Sequence, residues 1–219
     1  ADAEVRAECR AIAKRANASA KYVEGLGKAL GHLRREEDEQ LVAELLFAQG
    51  DVAEHDLADL ASARAYYERC EDHEHGGRVA EALRSLARVA NAQGDAREER
   101  RALGKLVSHG GVGRSARIEA LYRLGELETR DDASLAEGVA HLREAFGADA
   151  RSERAARILG DLARRTLLDA DTLRFHEEVA RGSGDDALLV EFLELRAARP
   201  DATLPQLREA VDRVIALGR

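Results

Sequence analysis

Apolar residues recur along this chain at spacings of three and four, and the pattern itself repeats. Leu41, Leu45, Ala48 and Val52 make one helical stripe, and Leu60, Ala63, Tyr67 and Cys70 make the next. The loop from Glu71 to Gly77 separates this pair from those that follow. Further pairs are predicted at 79–92 with 96–107, 115–129 with 134–146, 152–165 with 170–181, and 186–198 with 203–217. Turn residues fall between them: Gly94-Asp95, Gly110-Gly111, Asp131-Asp132, Gly182-Ser183-Gly184 and Arg199-Pro200-Asp201. Thr203 is placed to cap the last helix, with Pro205 in its first turn. The segment Glu81-Ala82-Leu83-Arg84-Ser85-Leu86-Ala87-Arg88-Val89 returns 38 residues on as Glu119-Ala120-Leu121-Tyr122-Arg123-Leu124-Gly125-Glu126-Leu127. It returns again, 35 further, as Arg154-Ala155-Ala156-Arg157-Ile158-Leu159-Gly160-Asp161-Leu162. A period of this size marks stacked helix pairs, none of which buries its apolar face alone.

Ahead of the repeats, Val5, Cys9, Ile12, Ala16, Ala20, Val23, Leu26, Leu30 and Leu33 fit one helical face. Asn17 and Ser19 are placed to break it into a hairpin, and Gly25, Gly27 and Gly31 weaken its second half. One long helix and two shorter ones both satisfy the pattern. The charged run from Arg34 to Glu39 then marks a helix end or a solvated connection.

Within the pairs, the residues resemble tetratricopeptide repeats. Leu121-Tyr122-Arg123-Leu124-Gly125 and Ala156-Arg157-Ile158-Leu159-Gly160 match the core of that family's first helix, without its tryptophan. The stretch from Ser134 to Phe146 matches its turn and second helix. Asp59-Leu60-Ala61-Ser62-Ala63-Arg64-Ala65-Tyr66-Tyr67-Glu68-Arg69-Cys70 matches that half more fully, and Gly94-Asp95 copies the turn dipeptide. The resemblance implies an all-α fold, an α-solenoid of antiparallel helix pairs forming a tetratricopeptide-like superhelix in a single continuous array. Residues 1–38 would be an N-terminal helix or hairpin acting as a cap, and 39–219 four to five degenerate pairs.

First helices of such arrays line a concave groove, and the positions left free of packing face it. Carried over, those positions are Glu81, Arg84, Arg88 and Asn91, then Glu119, Tyr122, Glu126 and Thr129, then Arg154, Arg157, Asp161 and Arg164. The residues expected to hold a partner are Arg84, Arg88, Asn91, Tyr122, Glu126, Arg154, Arg157 and Arg164. An arginine-lined groove with a central Tyr122 suits the carboxylates of an acidic peptide segment. The lysine and asparagine clamp of chaperone-binding members is not reproduced at these positions.

Composition adjusts this picture in few places. The net charge of −8, with 42 acidic residues against 34 basic, argues against nucleic acid, whose non-specific capture needs a basic face. No run approaches the roughly 18 apolar residues of a membrane span, and no signal-peptide core opens the chain. Two cysteines, Cys9 and Cys70, make no disulfide framework and read as small, reduced, partly buried residues. Together these point to a cytoplasmic protein. The chain starts at Ala1 and contains no Met, which reads as a segment of a longer regulatory protein of bacterial type.

Candidate chemistry is thin. Cys70-Glu71-Asp72-His73-Glu74-His75, with His55 and Asp56 upstream, offers metal-ligand types at a spacing that fits no familiar zinc site. It reads as a polar loop after a packed cysteine. Arg97-Glu98-Glu99-Arg100-Arg101 reads as a solvated face, and His109-Gly110-Gly111-Val112-Gly113 lacks the Lys-Ser/Thr of a phosphate loop. No catalytic residue, metal site or cofactor is nominated. The leading expectation is a non-catalytic module that binds a protein or peptide. The alternative is self-association through the N-terminal stripe or through Leu207, Val211, Val214 and Leu217. A metal-dependent enzyme is the remote third.

Overall fold

A computed structural model describes residues 3–34, 37–149, 153–166 and 168–216. The described residues are helical throughout, with no strand among them. They fall into two compact units, one ending at Val112 and the other starting at Gly113. The first holds α1 (Ala3–Arg15), α2 (Ser19–Leu30), α3 (Glu39–His55), α4 (Leu60–Glu71), α5 (Val79–Gln93) and α6 (Ala96–Ser108). The second holds α7 (Arg114–Glu128), α8 (Leu135–Ala148), α9 (Glu153–Arg165), α10 (Ala170–Gly182), α11 (Asp186–Ala197) and α12 (Leu204–Ala216). Each repeat helix lies within a residue or two of its expected span.

In the first unit every helix packs on the next in chain order. In the second, α7 pairs with α8, α9 with α10 and α11 with α12. Contacts of α7 with α9, of α8 with α10 and of α9 with α11 join successive pairs there. Connections of a few residues make the partners antiparallel, which is the solenoid plan within each unit.

The turns explain why the helices stop and restart where they do. Gly94 ends α5 at φ 72°, a left-handed position that glycine adopts without a Cβ clash. The Asp95 amide then reaches back to the Ala90 carbonyl at 2.9 Å. The Asp95 carboxylate in turn accepts from the Glu98 amide at 3.1 Å and opens α6. Asp59, Asp169 and Asp185 cap α4, α10 and α11 in the same way. At α12 the cap is reversed, since Gln206 accepts from both the amide and the hydroxyl of Thr203 at 3.0 Å.

Close approach holds the pairs together. A Cβ at Gly125 on α7 would lie 2.7 Å from Leu142 and 2.9 Å from the Gly138 carbonyl of α8. A Cβ at Gly138 would meet the Thr129 amide at 2.8 Å. Backbone cannot yield here, so both positions must stay bare. In the first unit, Tyr67 of α4 is fully buried, its ring 5.5 Å from Phe47. Its hydroxyl donates to Glu54 of α3 at 2.9 Å, and Arg88 of α5 forks the same carboxylate at 2.6 and 2.7 Å. Burial pushes the Glu54 carboxyl up, but the hydrogen bonds from Arg88 and Tyr67 outweigh it and hold Glu54 below the usual carboxylate range.

The N-terminal segment is two helices, with Asn17 at φ 53° between them. Its expected apolar face is corrected by the structure. Val5, Cys9 and Ile12 are exposed, and α1 buries no residue. The helix docks by its cationic edge instead: Arg6 pairs with Glu44, Arg10 with Asp51 and with Asp56 at 2.9 Å, and Lys14 with Asp56 at 2.7 Å. The Asp56 side chain is almost wholly covered, so its two cations offset the cost of desolvating it. Cys70 is buried as expected. Its Sγ donates to the Ala43 carbonyl at 3.4 Å, and burial pushes the thiol up to about 12.

Helix interiors make the glycine argument testable. Gly125→Ala should destabilise the protein by about 1–3 kcal/mol through overpacking, although alanine is the better helix former. Gly104→Ala, with nothing within 4 Å of its Cβ, should stabilise it by about 0.5–1 kcal/mol. Urea denaturation of both variants checks the pair. Equal effects would show that intrinsic helix propensity, and no helix contact, governs both sites.

The second unit carries a buried histidine that sets its acid limit. His176 is 2% exposed, edge-on to Phe192 at 5.0 Å, and its Nδ1 has no partner among the described residues. Burial, with a smaller contribution from the Arg164 charge, lowers its pKa from 6.5 to about 4. A depressed histidine pKa means that the unfolded chain binds the proton more readily. Its contribution is therefore complete above about pH 6.5 and is lost as pH falls toward 4, amounting to about 3 kcal/mol. His176→Leu should flatten that part of the stability–pH curve. An unchanged slope between pH 6.5 and 4 would contradict it.

Candidate partner-binding groove

The expected groove residues divide between the units. Arg84, Arg88 and Asn91 lie on α5 of the first, and Tyr122, Glu126, Arg154, Arg157 and Arg164 on α7 and α9 of the second. Each group is described within its own unit.

On α5, exposure does not mean availability. Arg88 is tied to Glu54, whose side chain is 9% exposed, in a two-pronged bond that ties α5 to α3. Removing it would strand a nearly buried carboxylate, so Arg88, 48% exposed, carries a structural ion pair on the face where it was expected to hold a partner. Arg84 is exposed and makes no ion pair among the described residues. Asn91 is exposed one turn before Gly94.

The second unit gathers its residues into one concavity of about 720 Å³ between α7 and α9. Glu126, Arg154, Arg157 and Arg164 all line it, which brings together four of the five residues expected there. Ile158, 9% exposed, forms an apolar point of its floor, and Thr129, Asp161, Arg130 and Arg165 complete the wall. Five guanidiniums and two carboxylates line it, and Glu119, Glu153 and Glu191 pair with three of the arginines from beside the lining. Arg130 and Arg165 escaped the sequence reading because they lie one residue beyond the matched positions, Arg130 in the turn after α7 and Arg165 at the end of α9. For Arg165 the signal was present, since basic residues favour the last helical turn; Arg130 lies two residues past the end of α7 and carried no such signal.

These arginines are held in graded ways. Arg157 pairs with Glu153 at 2.8 Å across one helical turn, the two side chains being 67% and 53% exposed. Arg130 pairs with Glu126 at 2.5 Å. Such exposed pairs contribute roughly 0–1 kcal/mol and exchange partners readily. Arg154 bonds Glu119 and lies 3.5 Å from Glu126, and Arg164 bonds Asp161 at 2.5 Å and also Glu191. Arg165 donates to the carbonyls of Thr129 at 3.2 Å and Asp161 at 3.3 Å, tying the end of α7 to α9. Two loosely held arginines and three positioned ones therefore surround the hollow.

Tyr122 does not stand in this groove. It is 3% exposed, donates to the Asp149 carbonyl at 3.4 Å, and lies under the Arg154 guanidinium, 5.8 Å from its ring centre. It lines a neighbouring depression of about 640 Å³ with Arg114, Ile118 and Glu119, and Arg154 stands on the wall of both. A free aromatic at that position is thus corrected to a packed one. The polar loop after Cys70 brings no group of three metal-ligand residues together among the described residues. Among the described residues no helix is long and apolar enough to cross a membrane.

No protein-family model matches the chain, and no curated protein matches it. Among solved structures the chain is similar to one described as an assembly chaperone of RpL4 (Acl4), residues 1–338. That likeness has 12% identity and a TM-score of 0.47, over 100% of this chain and 97% of the other. A likeness this slight adds nothing to the reading of the groove.

Proposed function

We propose that the chain is a non-catalytic, tetratricopeptide-like interaction module whose second unit holds an acidic segment of a partner protein. In this reading residues 1–38 cap the helix pairs of 39–219. The observation that carries it is the hollow between α7 and α9, lined by five guanidiniums of which Arg130 and Arg157 are held only by exposed, exchangeable ion pairs. Arg157 and Arg130 exchange weak surface partners for the carboxylates of the incoming segment, and Arg154 and Arg164 stay positioned by their own ion pairs. Forked guanidinium–carboxylate bonds suit a run of Asp and Glu. An aliphatic residue in the same segment would cover Ile158. The protein functions in solution, in the cytoplasm, without cofactor or metal.

A fluorescein-labelled peptide rich in Asp and Glu, with one leucine, should bind and raise the anisotropy. Its Asn/Gln counterpart should not. The double variant Arg130→Gln with Arg157→Gln should weaken binding roughly tenfold or more at an unchanged denaturation midpoint. Equal binding by the double variant would remove the groove from consideration.

A second reading, self-association, has its own observation. α12 buries only Ala210 and exposes Leu204, Leu207, Val211 and Ile215 along one face. The stripe expected from sequence is thereby shifted: Val214 is half-buried, and Leu217 lies outside the described residues. Arg208 and Asp212 flank the stripe four residues apart. An antiparallel second copy of α12 would set each against its opposite charge. Sedimentation equilibrium should then show dimers that Val211→Glu with Ile215→Glu converts to monomers. A chain that is monomeric at every concentration would exclude this contact.

A further inference from the structure

Helices α2 to α6 of the first unit each bury apolar residues, whereas α1 buries none. Its own large apolar residues, Val5 and Ile12, are more than half exposed. What holds α1 to α3 is charge. Arg6, Arg10 and Lys14 stand on successive turns of one edge and meet Glu44, Asp51 and Asp56. A hollow of about 190 Å³ persists beside Arg6 and Arg10, walled by Tyr22 of α2 and by Phe47 and Ala48 of α3. The helix therefore bridges to α3 through long side chains and forfeits dispersion contacts beneath them. A neutral hydrogen bond adds to this, from the Tyr22 hydroxyl to the Arg6 carbonyl at 3.0 Å.

Detachment is undemanding for the same reasons. The Asp56 side chain is covered, but Arg10 and Lys14 are what bond it there. Departure of the whole helix returns all three to water and strands none of them, unlike the loss of a single partner. A hinge is at hand in Asn17, which sits at φ 53° between α1 and α2. At 13 residues α1 is of a length that is marginal as an isolated helix in water, so once detached it melts. We propose that α1 is an electrostatically latched strap, which leaves α3 and melts as ionic strength rises and bares Glu44, Asp51 and Asp56 beside Phe47. Helices α2 to α6 stay folded throughout. Capping of the repeats then falls to α2, whose Val23 and Leu26 are buried. The strap goes beyond the acidic-segment reading and lies in the other unit, so each stands without the other.

Amide hydrogen exchange followed residue by residue by NMR tests this on the unaltered chain. Raising the salt from about 0.1 M to about 1 M cuts the Debye length from about 10 Å to about 3 Å. Exchange across residues 9–15 should then quicken about tenfold relative to residues 83–89 of α5, because several ion pairs weaken together. Arg10→Gln with Lys14→Gln should reach the fast rate already at the lower salt and respond little to more. Its urea midpoint should match that of the unaltered chain, since α1 contributes no buried residue. The salt series decides the matter even where the double variant fails to fold. Exchange in α1 that keeps step with 83–89 at every salt concentration would overturn the strap and make α1 an integral part of the unit. Amides of α1 that are unprotected at the lower salt, or α3 amides that quicken equally with them, would overturn it as well.

Discussion

Close approach of paired helices is the constraint on which the rest of this structure depends. Where Gly125 of α7 faces Gly138 of α8, a single added methyl group would touch main-chain atoms. Backbones held that near leave no room for side chains at the seam, so larger residues are displaced to either side. Leu121, Leu124 and Leu127 fill one flank of α7 as core. The remaining positions of α7 and α9 have nowhere to go but outward. An arginine-lined hollow is thus what packing leaves behind, given arginine at those positions.

The same constraint explains what was legible beforehand. Small residues at fixed offsets and aspartates or glycines at the turns are local signals, and they located the repeat helices closely. Gly94-Asp95 is the clearest instance, since the two residues together end α5 and begin α6. What escaped was set by partners distant in sequence. The periodicity of α1 pointed Val5, Cys9 and Ile12 inward. Arg6, Arg10 and Lys14 found Glu44, Asp51 and Asp56 on the far side of a hairpin and turned the helix over. A helical wheel records which residues share a face, but not which face has a counter-charge waiting.

Depth escaped the sequence for a related reason. Tyr122 and Arg88 both occupy positions free of the repeat's own packing, yet neither is free. Asp149 takes the tyrosine's hydroxyl from the end of α8. Glu54, held between Tyr67 and Arg88, converts an outward arginine into a strut linking α3 and α5. An arginine's availability therefore depends on the exposure of its partner more than on its own. Glu54 is nearly buried and holds Arg88 fast, whereas Glu153 is half in water and holds Arg157 weakly.

The net charge of −8 bears on how an acidic segment would reach a cationic hollow on such a chain. At physiological ionic strength the Debye length is about 8 Å, so the acidic surface beyond the groove is largely screened from a segment already at its mouth. Within that distance the guanidiniums are already paired with Glu119, Glu126, Glu153, Asp161 and Glu191, so an incoming carboxylate would have to exchange with one of these partners. Lowering the salt extends both fields, and the long-range one repels. In the proposed reading encounter would not be steered by the whole molecule, and selectivity would fall to the fit of a few forked bonds. At low salt, where that surface is no longer screened, the proposed site would favour a short acidic stretch in an otherwise near-neutral partner over a uniformly acidic one.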